Sequence, residues 1–334
     1  MKKKIVSALL CVAMIATMVT GCGGSKSSST SGNADSTAKQ FEINAAIAAN
    51  PPALDPHTVN ANVTGAIGIH VYEALFQMDE NYEPQPVLAE SYEMSDDGKE
   101  YTIKLRQGVK FHNGDEMKAD DVVASMNRWM ELSPKAKTLI GGSVFEKVDD
   151  YTVKLTVNEP SSDIIMVLAS PIQFAAIYPK SVVDSASDEG VKEYIGTGPY
   201  KVAEWKQDQY VKLEKNEDYQ PAEGKSSGLA GAKNARADTI TFNIVTDTAT
   251  RIAGVQNGQY DIAEDIPADQ YKDLATDKNL TMDVRSGGTL NLFLNTTEGV
   301  MADEKVRQAA LAALNCDDIL MASYGDADLY KLNA

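Results

Sequence analysis

The apolar positions change period along the chain, and each change predicts an element. Tyr92 to Met94, Tyr101 to Leu105 and Val109 to Phe111 alternate and read as short strands, joined by DDGK and RQG turns. Val122, Ser125, Met126 and Trp129 then fall three and four apart, so Asp121 to Met130 is predicted as a helix with one buried face. Alternation returns from Phe145 to Val148 and from Tyr151 to Val157. The segments YTIKL (101–105) and YTVKL (151–155) match each other, each after an acidic turn, while nothing around them repeats. They read as two strands of like chemistry and not as a solenoid.

The flanks carry other patterns. Phe41 to Ala48 reads as a first strand ending at Asn50-Pro51-Pro52, and Gly65 to Phe76 is apolar at helical spacing. Tyr200 to Trp205 reads as a strand. Beyond it, Thr239 to Val245 is predicted as a buried strand, followed by a helix capped by Thr248 and stopped by Gly258, then a short strand from Tyr260 to Ala263. That order is a βαβ unit and implies parallel pairing with a right-handed crossover. A helix over Ala268 to Thr276 and strands over Leu280 to Val284 and Thr289 to Leu294 follow. Last comes a helix capped by Asp303, with Val306, Ala310, Ala313 and Leu314 on its buried face. The class is α/β.

The N-terminus differs from the rest. Lys2, Lys3 and Lys4 precede an apolar run from Ile5 to Val19, too short to span a bilayer, which reads as a signal-peptide core. It ends in Val19-Thr20-Gly21-Cys22, which resembles the lipobox of bacterial lipoproteins, so residues 1–21 are expected to be a leader and Cys22 the lipidated first residue. Residues 22–40 form a Gly/Ser-rich tether that cannot bury a core. Cys11 leaves with the leader, which isolates Cys316 and excludes an intramolecular disulfide. Cys316 is expected to be a small buried residue.

Size and charge narrow the classes. The 334 residues are 24% charged and 43% hydrophobic, which suits a soluble protein of about two domains. The formal net charge is −17 and grows more negative when the leader lysines are removed. With no basic stripe, a nucleic-acid partner is excluded. The three histidines, His57, His70 and His112, have no metal-ligand spacing and read as structural; no metal or cofactor is expected. No GxSxG elbow supplies a nucleophile. Pro199 interrupts Gly196-Thr197-Gly198 where a phosphate cradle needs a backbone donor, so that run reads as a turn. Asp120 and Asp121 sit in the first turn of a helix, where negative charge is favourable.

A block of these residues nevertheless has a family look. DDGKEYTIKLRQGVKFHNGDEMKADDVV (96–123) is similar to the hallmark of the family-5 extracellular solute-binding proteins, the oligopeptide- and dipeptide-binding components of ABC importers. Further blocks follow in the family's order: ALDPH (53–57), VYEALF (71–76), PVLAESYE (86–93), DDYTVKL (149–155), GTGPYKVAEW (196–205), NGQYDIA (257–263) and DEKVRQAALAAL (303–314). Lys118 stands where the family has a capping Thr, and Asn315 where it often has Asp.

The resemblance implies a periplasmic-binding-protein-like fold of two α/β lobes (type II, cluster C) that close on ligand about a hinge. Lobe I would comprise residues 41–65 and 196–290, interrupted by a subdomain at 66–195. Lobe II would begin at 291 and be incomplete, since relatives run beyond this C-terminus. Counting from the matching blocks, the family's cleft positions fall on Asn60, Asn62, Ala263, Glu264, Asp265 and Asn291. The asparagines supply amide donors and acceptors suited to peptide backbone, and the two acids could favour a cationic group. The implied protein is a monomeric receptor, not an enzyme, lipid-anchored on the outer face of the bacterial cytoplasmic membrane. It would deliver a solute, a short peptide in first place, to an ABC permease with its ATPase subunits. Nickel chelates, sugars and opines remain alternatives within the family, and an extracellular hydrolase is the rival outside it.

Overall fold

The computed structural model describes residues 40–187, 189–284 and 291–331. Its strands are β1 (Glu42–Ile47), β2 (Phe76–Met78), β3 (Pro84–Pro86), β4 (Ala89–Met94), β5 (Glu100–Leu105), β6 (Val144–Asp149), β7 (Thr152–Thr156), β8 (Tyr200–Lys206), β9 (Tyr210–Lys215), β10 (Thr239–Ile244) and β11 (Ile262–Ala263). Its helices are α1 (Asn62–Val71), α2 (Ala119–Leu132), α3 (Pro134–Ile140), α4 (Ile164–Leu168), α5 (Lys180–Asp184), α6 (Thr248–Gln256), α7 (Tyr271–Leu274), α8 (Glu304–Ala313) and α9 (Cys316–Tyr324).

The alternating runs build an antiparallel sheet in the order β4-β5-β7-β6. The two matching segments are neighbours in it: Tyr101 faces Leu155, Ile103 faces Val153 and Lys104 faces Thr152. Alternation puts Tyr101, Ile103, Leu105, Val153 and Leu155 on one buried face, against which α2 lays Val122, Met126 and Trp129. Asp121 starts that helix by accepting the Lys118 N–H at 2.9 Å, and its other oxygen accepts the Lys180 N–H. The capping role read for the acidic pair is thus carried by Asp121, while Asp120 pairs with Lys147 at 2.8 Å.

The second sheet runs β11-β1-β10-β9-β8, with β1 parallel to both β10 and β11. The βαβ unit is present, but its two strands flank β1 and do not touch each other. A second hydrophobic core, including Ile47, Ile67, Val71, Tyr72, Phe174, Tyr178, Leu213 and Phe242, packs on this sheet.

Buried polar groups tie the two cores together. Asp55 pairs with Arg128 at 2.7 Å, accepts the Tyr178 hydroxyl at 2.8 Å and takes the backbone N–H groups of His57 and Val191. Burial by itself raises the Asp55 carboxyl, but the Arg128 hydrogen bond, with the nearby charges and Tyr178, outweighs it and holds the group below its ordinary range. Glu73, buried likewise, accepts the Thr197 and Tyr219 hydroxyls and sits 3.6 Å from the Lys233 ammonium.

Several elements depart from the sequence reading. The helix expected over Gly65 to Phe76 begins at Asn62 and ends at Val71, and Phe76 opens a strand paired with Pro86. Residues 71–78 are buried on every side, so a short apolar run carried no period to separate the two. Val109 to Phe111 contributes one bridge, Lys110 to Glu116, in place of a strand. Asp247 and not Thr248 caps α6, because its carboxylate accepts the Thr250 N–H. The helix expected over Ala268 to Thr276 is a 3-10 turn (Ala268–Gln270) running into α7. Leu280 to Val284 forms no strand, nor does Asn291 to Leu294; residues 285–290 lie outside the described part. Cys316 is exposed at the first turn of α9, a helix with no buried residue.

Candidate functional site

Three parallel strands that end together make one edge of the second sheet. Register runs from Glu42 opposite Thr239 to Ile47 opposite Ile244, with Ala46 opposite Ala263. The carboxyl ends of β10, β1 and β11 therefore open on the same side, the side on which open α/β sheets bind ligands. Past those ends the chain stays hydrogen-bonded for one more residue: Val245 N–H donates to Ile47 O at 2.9 Å, and Glu264 N–H to Ala46 O at 3.1 Å.

The acidic positions on this edge differ in environment. Glu264 is half-buried, and Oε1 accepts the Ala48 N–H at 3.0 Å, so its carboxylate fixes the start of the loop after β1. Burial pushes the Glu264 pKa up, opposed by that N–H. Asp265 is exposed and holds the left-handed conformation at φ 52°. Ala263 ends β11. Behind both acids lies Arg251 of α6, only 2% exposed, whose guanidinium donates to main-chain oxygens of both loops.

The asparagines lie on other elements. Asn60 is exposed in the loop between β1 and α1. Asn62 opens α1 and lines an open cavity of about 230 Å³ with Gly65, Ile69, Pro171, Ile172 and Leu229. Asn291 is exposed, directly after residues 285–290. Cys22, the expected lipidation site, lies outside the described residues, as do the leader and all but the last residue of the tether.

The histidines are held by main-chain and core contacts. His57 Nε2 donates to Ala176 O at 2.9 Å while Nδ1 accepts from Arg128 at 3.0 Å; burial, aided by the Arg128 charge and opposed by Asp55, takes its pKa down to about 4. His112 takes the Gly196 N–H on Nδ1 and donates from Nε2 to Gly198 O at 3.0 Å, and burial likewise lowers it to about 4. His70 bonds its own helix at Ala66 O. The Gly196 and Gly198 amides are used by His112 and Val71 O, and a side chain at either glycine would run into the main chain at the end of α1. That run is a packing turn. Among the described residues no group of three or more His, Cys, Asp or Glu could hold a metal ion, and no helix is long and apolar enough to cross a membrane.

The model for the middle part of the bacterial extracellular solute-binding proteins, family 5, matches residues 83–329. The chain belongs to that family. The glutathione-binding protein GsiB of Salmonella paratyphi A is 34% identical over 288 residues, covering 85% of this chain and 54% of the relative. The chain thus spans about half the length of the curated relatives it matches. Among solved structures, the periplasmic binding protein DppA of Helicobacter pylori, in complex with the peptide STSA, aligns at TM-score 0.69 and 25% identity over 86% of this chain and 59% of that one. The oligopeptide-binding protein AppA of Bacillus subtilis, in complex with a nonapeptide, aligns at 0.66 and 28% identity over 86% and 57%. The mixed α/β architecture of this family-5 chain is that of periplasmic binding proteins, and the relatives named are binding proteins and not enzymes.

Reading the sequence missed Arg251, Asp55, Glu73 and Arg128. Arg251 did leave a trace: it stands three residues before Gly254, the other buried position of α6.

Proposed function

We propose that this chain is the solute-binding component of an ABC importer, taking a short peptide or peptide-like solute along the carboxyl edge of β10, β1 and β11. The observation that carries the reading is the convergence of three parallel strand ends in a chain of this family. Ala263, Glu264 and Asp265 form the wall at β11, Asn60 and Asn62 follow β1, and Asn291 joins from the segment after residue 290. Relatives named for glutathione or found with bound peptides support a peptide ligand, and a neighbour found with agropinic acid supports an opine as the second reading.

In this reading residues 41–65 and 196–290 are lobe I, residues 66–195 a subdomain inserted in it, and residues from 291 the start of lobe II. One of the two cores is drawn from residues 75–177 alone, which supports a separate subdomain within 66–195, while Ile67, Val71, Tyr72, Phe174 and Tyr178 from its flanks join the other core. Residues 1–21 are a leader, and Cys22 after VTG is the lipid anchor that holds a monomeric receptor outside the cytoplasmic membrane beside its permease. Hydrolysis of ATP belongs to the partner subunits.

Native mass spectrometry of the protein purified from its host tests the ligand: a co-purified peptide is expected, returned intact after prolonged incubation. A cleaved peptide would replace the receptor by a hydrolase, and a bound chelate, sugar or opine would replace the ligand class. For the anchor, Cys22→Ala is expected to release the protein from membranes or leave it unprocessed. Normal trimming and membrane fractionation of that variant would remove the lipid.

A further inference from the structure

We infer that Arg251 is the positioning residue of the ligand wall, holding the first two residues beyond β10 and beyond β11 in one fixed arrangement. The inference rests on the edge being the ligand wall, as proposed above. All five guanidinium N–H groups are engaged. Nε donates to Glu264 O at 3.1 Å and Nη2 to Asp265 O at 3.0 Å, on the β11 side. Nη1 donates to Val245 O at 2.8 Å and Thr246 O at 3.0 Å, on the β10 side. The fifth bond goes to the Thr248 hydroxyl at 3.3 Å.

Four of those acceptors are the two carbonyls that follow each outer strand, where sheet pairing stops. β1 lies between the two strands, so β10 and β11 share no ladder bonds. Arg251 joins their ends directly. It also clasps the carbonyl of Asp265, whose left-handed backbone is unusual for a residue with a side chain. None of its hydrogen bonds goes to a carboxylate, so a buried charge is satisfied by main-chain dipoles aimed at one point. The planar fork suits this task, whereas a lysine ammonium offers three donors from a single atom and spans the two loops less well.

Arg106 provides a matched comparison. It also donates to main-chain carbonyls, those of Val87, Gln220 and Pro221, and none of these belongs to the edge. Arg251→Lys, Arg251→Met, Arg106→Lys and Arg106→Met are compared in two measurements. One is NMR titration with the peptide Ser-Thr-Ser-Ala and with reduced glutathione; the other is hydrogen exchange at the Glu264 amide, which bonds Ala46 O.

Arg251→Met is expected to weaken binding at least tenfold and speed Glu264 exchange at least tenfold, with Arg251→Lys between it and the wild type. Both Arg106 variants are expected to lower the melting temperature and change neither reading. Should Arg251→Met fail to fold, Arg251→Lys carries the comparison. Binding within twofold of wild type in a folded Arg251 variant, unchanged Glu264 protection, or an equal loss in the Arg106 variants would each overturn the role. A wild-type chain that takes up neither peptide removes the ligand reading itself and this role with it. A wild type that binds, beside an unaffected Arg251→Lys, removes the role alone.

Discussion

Helices α2 and α8 carry the same kind of apolar stripe and end in opposite states. In α2, Val122, Met126 and Trp129 are wholly buried against the β4–β7 sheet. In α8, Val306 is 39% exposed and Leu311 57% exposed, Leu314 just past its end is 39% exposed, and no residue of that helix is buried. The contrast extends to the regions around them. Residues 75–177 hold a complete core, whereas Leu274 is the one buried residue among the described positions from 262 to 331. A periodic stripe therefore specifies a helix and the face it offers, and burial requires a second element to receive that face.

The strongest way to break the ordered region is at its polar tie. Asp55→Ala would leave Arg128 buried without its partner and orphan the Tyr178 hydroxyl and the Val191 amide, so denaturant unfolding is expected to show a loss of about 3–5 kcal/mol. A change within 1 kcal/mol of zero would mean that the two cores are not joined there.

A paired truncation sharpens the contrast. Ile103→Ala, in the wholly buried face of β5, is expected to lower stability by about 2–5 kcal/mol, against less than about 0.5 kcal/mol for Leu311→Ala. Similar losses in both would show that α8 is covered in solution.

Acid should act mainly on the ordered region. The folded-state pKa of His57 lies near 4, below its ordinary 6.5, so the neutral ring stabilises the fold fully above 6.5 and that contribution fades as pH falls toward 4. The loss is about 3 kcal/mol at most for His57, and His112 adds to it over the same window. Asp55, held below 3.8, contributes above that pH and fails only at lower pH. Stability flat between pH 7 and 4 would contradict the neutral, buried imidazoles. His112→Gln is a milder change than Asp55→Ala or Ile103→Ala. Lost bonds to Gly196 and Gly198 predict about 1–2 kcal/mol of destabilisation by thermal unfolding, with peptide affinity unchanged. A tenfold loss of affinity at unchanged melting temperature would place His112 in the site.

Where pattern was local, the sequence was readable. Alternation located β4 to β7 and the spacing of Val122, Met126 and Trp129 located α2, because each strand's partner or the covering helix is supplied by nearby chain. YTIKL and YTVKL were recognised as like strands, but nothing in either said that they lie side by side. The parallel edge was visible as a strand-helix-strand order, without the insertion of β1 between its strands. The polar centres were not readable for a single reason. Asp55 meets Arg128 across 73 positions, Glu73 meets Tyr219 across 146, and Arg251 serves carbonyls, which no residue type announces. Counting from a family block places Glu264 at the cleft, but that count does not show that one of its carboxylate oxygens accepts the Ala48 amide. Cys316 is expected inside because small thiols usually are, yet no residue of the helix it begins is buried.

The central claim is that the carboxyl edge of β10, β1 and β11, and not the polar outer face of the β4–β7 sheet, meets the solute. Amide chemical-shift mapping of the isotope-labelled chain with Ser-Thr-Ser-Ala and with reduced glutathione tests it most directly. The expected result is a saturable set of shifts at Ala48, Asn60, Asn62, Ala263, Glu264 and Asp265. Saturable shifts confined to Thr102, Lys104, Thr152 and Lys154 of the other sheet would contradict the account.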